Sequence, residues 1–551
     1  VKRGFAAFVA AVTLVVFLAS SLPYVAGYLG QTDNARFTGI VFDVPDTAQY
    51  YAWMRAFAHR PLIANPLTPE PGVARFFNLQ WWLLGMLAFD TPLGPNATYQ
   101  LLRFVALAAF AAALAWFCSL TVRPQRALAF ALVMGSAGFG WLLVVAKQRT
   151  GELRHPLSVQ IAEANTYFSA MAFPHLLVAG ALMLAIYGAM FRAAEQDNAR
   201  WRWLVLIVGL TLALGFSHGY DLLPTMAMPG ATAALLTLRQ RRISALALPA
   251  AAIMAGAALP ALYVLSLTRL DPTWRGVLSQ YGNAGVFTPA PPLLLILLGL
   301  PFPLALWQVR PAAWRTDDAR QFFLRVWLVA GLALLYIPTN YQIKMLTTYQ
   351  VPVCLLAAQT LAALTGALPD WLPRRFAGVR VATWAPGLAL AVLALTMLTN
   401  IYLTAWRVLD LRRLQYPYYL AAGDVRALQL LGDVAPPGQV VLSSPDLGLF
   451  VPVYSDARPF VAHWAQTLAF FARRDAATRA YAPATTESER MAIVGSNRIA
   501  FVLSGPAEAA LGQSSVPARF PLDVLAEERG AERAPTTIYR TELVPVAGTQ
   551  P

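Results

Sequence analysis

The stretch Phe42-Asp-Val-Pro-Asp-Thr-Ala-Gln-Tyr-Tyr-Ala-Trp-Met-Arg-Ala-Phe57 gathers the chain's first cluster of carboxylates beside aromatic rings. Asp46 and Tyr50 are four residues apart, so on a helix they share one face, a turn apart. Asp43 and Pro45 fall where such a helix would begin. A carboxylate here has two readings. It is a general base that takes a proton from an attacking hydroxyl, or it caps a surface helix that the aromatics pack down. Further residues able to do chemistry follow at long intervals. They are Glu70, Glu163, His175, His218-Gly-Tyr220-Asp221, Gln342-Ile-Lys344 and His463. Lys344 is a compact cation suited to a phosphate, or an interfacial lysine whose stem lies along apolar surface. Glu163, His175, His218 and Asp221 align a substrate, hold a divalent metal, or cap and bridge helices. No spacing among them demands a metal. Ser443-Ser444 reads as strand-end capping rather than a nucleophile.

The elements that position these residues are set by composition. Of 551 residues, 58% are hydrophobic and only 13% are charged. A soluble chain carries about twice that charge. The net charge of +14 comes almost entirely from arginines that punctuate apolar runs. That pattern marks membrane topology rather than nucleic-acid binding. The two cysteines lie within apolar runs, so neither a disulfide framework nor a Cys-rich metal site is expected. A spanning helix needs about 20 apolar residues. About eleven runs qualify: near 4–28, 98–121, 127–146, 173–191, 202–216, 221–238, 243–267, 290–309, 322–338, 346–368 and 381–406. Lys2-Arg3 before the first run resembles a signal peptide. The run lacks a convincing cleavage site and reads as a retained first helix.

Alternate loops differ in basic residues. One set holds Lys2 and Arg3; Arg123 and Arg126; Arg192, Arg200 and Arg202; Arg239, Arg241 and Arg242; Arg310, Arg315 and Arg320; and Arg374, Arg375 and Arg380. The positive-inside rule makes that set cytoplasmic. The N-terminus is then inside, and after eleven spans the C-terminal part is outside. All five histidines (His59, His155, His175, His218 and His463) fall on the outer side. Loop 30–97 is too long for a connector. Its segments 46–60 and 72–90 read as interfacial helices. Residues 411–551 carry short buried strands at 439–443 and 498–503, an alternating strand at 538–543, and helices at 424–432 and 466–482. They read as a soluble α/β domain outside the membrane. The domains are therefore 1–410, membrane-embedded, and 411–551, extracytoplasmic.

Asp46-Thr-Ala-Gln-Tyr50, after a first helix and inside a large outer loop, resembles the GT-C superfamily of integral-membrane glycosyltransferases. Its members include protein O-mannosyltransferases, aminoarabinose transferases and oligosaccharyltransferases. A narrower resemblance is to large bacterial GT-C-like membrane proteins. It rests on Tyr50-Tyr-Ala-Trp-Met-Arg55, Thr68-Pro-Glu70, Glu163-Ala-Asn-Thr-Tyr-Phe-Ser169 with Pro174-His175, His218-Gly-Tyr-Asp221, Asn340-Tyr-Gln-Ile-Lys344 and His463-Trp-Ala-Gln-Thr467. Thr47, Gly219 and Ile343-Lys344 depart from these patterns. Where the family has a second acid after Asp46, this chain has Thr47, so the partner must come from Asp43, Glu163 or elsewhere.

The resemblance implies a polytopic α-helical membrane protein, GT-C-like, with about 11 transmembrane helices and a C-terminal soluble α/β domain. It implies an inverting glycosyltransferase of the bacterial inner membrane. The donor is a polyprenyl-phosphate sugar, and the acceptor is a glycan, lipid or protein; nucleic acid is not a partner. Asp46, Asp43 and Glu163 are the catalytic candidates. Tyr50, Glu70, His175, His218, Tyr220, Asp221, Gln342, Lys344 and His463 are the substrate-binding candidates. Asp46, Glu163, His175, His218 and Lys344 are expected to converge on an outward-facing cavity. The implication leaves room for a divalent metal, Mg or Mn. Two other classes compete: a non-catalytic GT-C-fold scaffold or lipid-binding protein, and a transporter or flippase of lipid-linked sugars. A transporter places charges at mid-span in related halves, whereas the polar residues here sit at span ends.

Overall fold

The structure, a computed structural model, describes residues 2–152, 157–280, 287–316, 318–371, 384–528 and 535–542. His155, Arg374, Arg375 and Arg380 lie outside them. The chain packs as two compact units, neither of them one continuous stretch. The first holds Val1–Leu22, Gln100–Val264 and Ala284–Arg407. The second holds Pro23–Tyr99, Leu265–Asn283 and Val408–Pro551. Loop 30–97, assigned from sequence to the 1–410 domain, thus falls in the same unit as the C-terminal segment.

Over their described residues the eleven apolar runs are mostly helical, as backbone in hydrocarbon must be to satisfy its own N–H and C=O groups; the run 127–146 is two helices, Arg126–Gly135 and Gly140–Thr150. Among the described residues, seven helices are individually long and apolar enough to cross a membrane. They include Gly94–Thr121, Pro174–Glu195 and Ala247–Leu270. The chain is a multi-pass membrane protein. The run at 290–309 is instead a bent pair, Pro291–Leu298 and Pro301–Val309, meeting at 113°. The bend sits at Gly299, whose φ of +68° is a left-handed conformation that a side chain would strain. A Cβ there would also lie 2.6 Å from the Ala137 carbonyl oxygen. Pro301 follows and supplies no N–H to continue the first helix.

Arg103 is buried inside the first unit. It donates to the Ala170 and Ser20 carbonyls at 2.9 and 3.0 Å and to Gln100 at 2.6 Å. A charge this deep in a membrane protein survives only when its donors are satisfied; here it ties the segments around Ser20, Gln100 and Ala170.

In the second unit, two short strands join the first loop to the segment after the last span. β1 (Ala35–Phe37) pairs antiparallel with β2 (Tyr419–Ala421). The C-terminal sheet consists of β3 (Val440–Leu442), β4 (Arg458–Pro459), β5 (Ile499–Ser504), β6 (Asp523–Glu528) and β7 (Thr536–Arg540), in the order β4-β3-β5-β7-β6. β3 is parallel to β4 and β5, and the β5–β7 and β7–β6 pairs are antiparallel. β5 is buried along its whole length. Helices Ala422–Val434 and Phe470–Tyr481 lie where 424–432 and 466–482 were read from sequence.

Both segments expected to be interfacial helices are helical, as Val44–Phe57 and Leu79–Phe89. Val44–Phe57 buries Val44, Ala48, Tyr51, Trp53, Met54 and Phe57. It packs on Leu79–Phe89 and on the short helix Val451–Tyr454. Gly85 allows the first contact, because a Cβ there would sit 2.4 Å from the Met54 carbonyl oxygen. Leu79–Phe89 buries Gln80, Trp81, Gly85 and Ala88 and leaves Leu83 exposed.

Candidate functional site

Asp43 and Pro45 place Asp46. Asp43 is the N-cap of Val44–Phe57, in a left-handed conformation at φ 43°, and accepts from the Asp46 N–H at 3.5 Å. Asp43 therefore holds the cap, and Asp46 stands in the first turn. Asp46 Oδ1 lies 2.9 Å from His463 Nε2. The imidazole tautomer follows from its other nitrogen. The Ala465 N–H donates to His463 Nδ1 at 3.0 Å, so Nδ1 carries the lone pair and Nε2 carries the hydrogen. His463 thus donates to the carboxylate. It is 1% exposed, while the Asp46 side chain is 34% exposed. A fixed, buried donor holds a carboxylate that stays open to solvent.

The surroundings lock this pair. Asn65 donates to the Gln466 carbonyl at 3.0 Å, and the Thr467 hydroxyl donates to the Leu67 carbonyl at 2.7 Å. Gln280 reaches the Ala465 and Thr467 carbonyls at 3.2 and 3.0 Å. The His463–Thr467 turn is therefore clamped from two sides. Glu70 accepts from Thr68 and from Arg473, the latter at 2.5 Å. It stands in this framework as the anchor between the first loop and helix Phe470–Tyr481. Tyr50 stacks on Trp81 at 4.4 Å with the rings 10° apart. Trp464 stacks beside His463 at 6.0 Å.

The first unit carries a second cluster. Lys344 Nζ lies 2.7 Å from Glu163 Oε1; the two side chains are 26% and 9% exposed. Lys344 sits on the short turn Gln342–Leu346, against which the turn Gly219–Asp221 packs. His218 Nδ1 lies 2.6 Å from Asp221 Oδ2, and Asp221 is fully buried. The His175 ring is 5.5 Å from that of His218. Tyr220 packs on Tyr341 at 5.2 Å. Gln342 donates to the Ile337 carbonyl at 2.9 Å and accepts from the Thr288 N–H at 3.2 Å, so its amide sets loop backbone. Glu163, His175, His218, Tyr220, Asp221, Gln342 and Lys344 thus belong to one unit. Asp43, Asp46, Tyr50, Glu70 and His463 belong to the other.

Sequence reading missed the supports. Gln350 accepts from the Thr166 N–H at 3.1 Å and donates to the Ser136 carbonyl at 2.6 Å. Asn165 donates to Asn400 at 2.7 Å. These amides hold the segment that follows Glu163. The available signal was their polarity within apolar runs. Also missed was Glu508, fully buried in the C-terminal sheet. It accepts from the Ser444 N–H and hydroxyl at 2.8 and 2.7 Å. Burial, with the Asp424 carboxylate next, pushes its pKa up to about 7. Among the described residues no group of three or more His, Cys, Asp or Glu is placed to hold a metal ion.

No protein-family model matches the sequence. No curated protein matches it. Solved structures do share its fold. The Archaeoglobus fulgidus oligosaccharyltransferase, in complex with Zn and sulfate, matches with a TM-score of 0.52 at 12% identity over 90% of this chain and 68% of that one. The same archaeal enzyme, AglB, with an inhibitory peptide and a dolichol-phosphate, matches with a TM-score of 0.50 at 13% identity over 90% and 69%. ArnT from Cupriavidus metallidurans in the apo state matches with a TM-score of 0.51 at 15% identity, covering 99% of both chains. Both neighbours are GT-C membrane glycosyltransferases, and the likeness is one of fold, GT-C-like over most of this chain.

Proposed function

We propose that this protein is an inverting glycosyltransferase that moves a sugar from a polyprenyl-phosphate carrier to an acceptor hydroxyl at the extracytoplasmic face of a bacterial inner membrane. The observation that carries the reading is the Asp46–His463 pair: an open carboxylate, fixed by a buried imidazole, on the first loop of a GT-C fold. Asp46 takes the proton of the acceptor hydroxyl as its oxygen bonds to the anomeric carbon. The bond from that carbon to the phosphate oxygen breaks, and polyprenyl phosphate leaves with the electron pair. One displacement inverts the anomeric centre. His463 keeps Asp46 in place.

The leaving phosphate needs positive charge or hydrogen-bond donors. Within the first unit, Lys344, held by Glu163, is the cation suited to a phosphate, and Tyr220 lies on a turn packed against the Lys344 turn. Asp221 orients His218 through their 2.6 Å contact. The dolichol-phosphate bound by AglB supports a polyprenyl-phosphate donor here. The Zn and sulfate of its counterpart make a divalent metal a property to measure.

Mass spectrometry of lipid co-purified with the full-length protein tests the donor. A polyprenyl phosphate or its sugar conjugate is expected. Transfer to a panel of acceptors then tests the reaction. Donor lipid bound without transfer, unchanged by Asp46→Asn, would move the protein to the scaffold class.

A further inference from the structure

The first unit contains an apolar groove with a basic end, distant in function from the carboxylates above. It has a volume of about 770 Å³ and lies between helix Lys2–Leu29 and helix Gly94–Thr121. Val9, Leu14, Ala108 and Ala112 are among its walls. The hydroxyls within it, Thr13 and Ser119, are spent on their own helices, donating to the Val9 and Ala115 carbonyls. Three arginines, Arg123, Arg126 and Arg192, line one end. Arg126 lies over the Phe5 ring at 4.4 Å. Arg192 is 3.6 Å from Glu195, a carboxylate it shares with Arg320. Arg123 is exposed. The end is therefore net positive. At the other end Phe17 and Phe104 meet edge to face at 5.3 Å.

The charge and length of the groove point to its occupant. From Phe5 to Phe17 one wall rises about 18 Å, and from Phe104 to Leu120 the other rises about 24 Å, more than half of a ~30 Å hydrocarbon core and less than all of it. An acyl chain that enters at the arginine end fits within that length. Positive charge at that end selects an anionic headgroup. We propose that this groove binds one anionic phospholipid, acyl chain between the two helices and headgroup phosphate on Arg123, Arg126 and Arg192. The inference does not depend on the transfer reaction.

The test uses full-length protein in nanodiscs of phosphatidylglycerol and phosphatidylcholine with matched acyl chains, read by native mass spectrometry. One retained phosphatidylglycerol per chain is expected, in preference to phosphatidylcholine. Each of R123Q and R126Q should weaken retention by roughly fivefold, the contribution of one basic residue at an anionic surface. Ala108→Phe fills the groove without touching charge and should abolish retention. Equal retention of both lipids overturns the proposal. So does retention unchanged by Ala108→Phe, or a polyprenyl phosphate recovered in place of the phospholipid. Arg123 is exposed and forms no ion pair among the described residues, so R123Q remains informative even if R126Q fails to fold.

Discussion

The Asp46 carboxylate accepts from His463 Nε2 because the Ala465 N–H occupies Nδ1. Asp46→Asn keeps an acceptor oxygen for that bond but cannot take a proton. Transfer is expected to fall by about 10²–10⁴-fold, with donor-lipid retention unchanged in the same preparation. Asp43→Asn is the control: Asn is nearly as good a cap and tolerates the left-handed conformation at φ 43°. Its activity should stay near wild type. The opposite pattern would assign the chemistry to Asp43. Glu508 makes a second residue-scale prediction, about stability. Its pKa is raised from an ordinary 4.5 to about 7 in the fold, so between those values the folded chain holds a proton that the unfolded chain has lost. Its contribution is fully present below about pH 4.5 and is lost as pH rises through about 7, a decline of about 3 kcal/mol. Hydrogen exchange at β5 amides, corrected for intrinsic rates, should show that decline from pH 4.5 to 8. Glu508→Gln should flatten it; an equal slope in the variant would assign the decline to another group. Asp46 was legible because an acid, a proline and a tyrosine at i+4 mark a helix start. Its partner, 417 residues later, was legible only as a histidine beside a tryptophan. No local rule joins positions that far apart.

At the scale of elements, run length and composition found helix in each of the eleven apolar runs, because hydrocarbon leaves the backbone no alternative, but among the described residues only seven helices, or eight with the bent pair, are long and apolar enough to cross. The strands that were legible are the buried ones, β3, β5 and β7. Two-residue β4 and acidic, half-exposed β6 carry no hydrophobic pattern to read. Helix Glu487–Ser496 had a signal that went unused: Thr486-Glu-Ser-Glu489 is a capping box, and both of its reciprocal bonds are present. The two short helices of the first loop show the converse limit. An aromatic, apolar segment too short to span has the same composition whichever face it packs with, so composition does not give the face on which Leu79–Phe89 meets Val44–Phe57. That face is set at Gly85, which faces the Met54 carbonyl at a distance no side chain permits. Gly85→Val is therefore expected to drive Leu79–Phe89 away from Val44–Phe57. The cost should be about 1–3 kcal/mol or more, since backbone rather than a flexible side chain must move. A drop in melting temperature of the detergent-purified protein, with changed near-ultraviolet signal from Tyr50 and Trp81, checks it. Gly4, which has open space around it, is the control: Gly4→Ala should change neither.

For the whole molecule, the arginine distribution makes a claim that folding alone does not. The helix ends bearing Arg123, Arg192 and Arg239 should face the cytoplasm, and the sheet of β3 to β7 should lie outside. Both native cysteines are fully buried, so the wild-type chain gives a low background to thiol reagents. Ser496→Cys adds an exposed thiol at the end of helix Glu487–Ser496, and Asn198→Cys adds one beside the Asp197–Ala199 turn. In sealed right-side-out vesicles, an impermeant maleimide is expected to label the Ser496→Cys chain at once. It should label the Asn198→Cys chain only after the membrane is opened. The reverse pattern would place the Asp46–His463 pair in the cytoplasm, because both residues belong to the unit that contains the sheet. A polyprenyl-phosphate sugar displayed on the outer face would then be out of reach, and the transfer reading would fail with the topology. Labelling of both chains in sealed vesicles would break the odd number of spans between Asn198 and the sheet. The bent pair Pro291–Val309 would then be the first segment to reassign, since a helix turned by 113° can return to the face it entered.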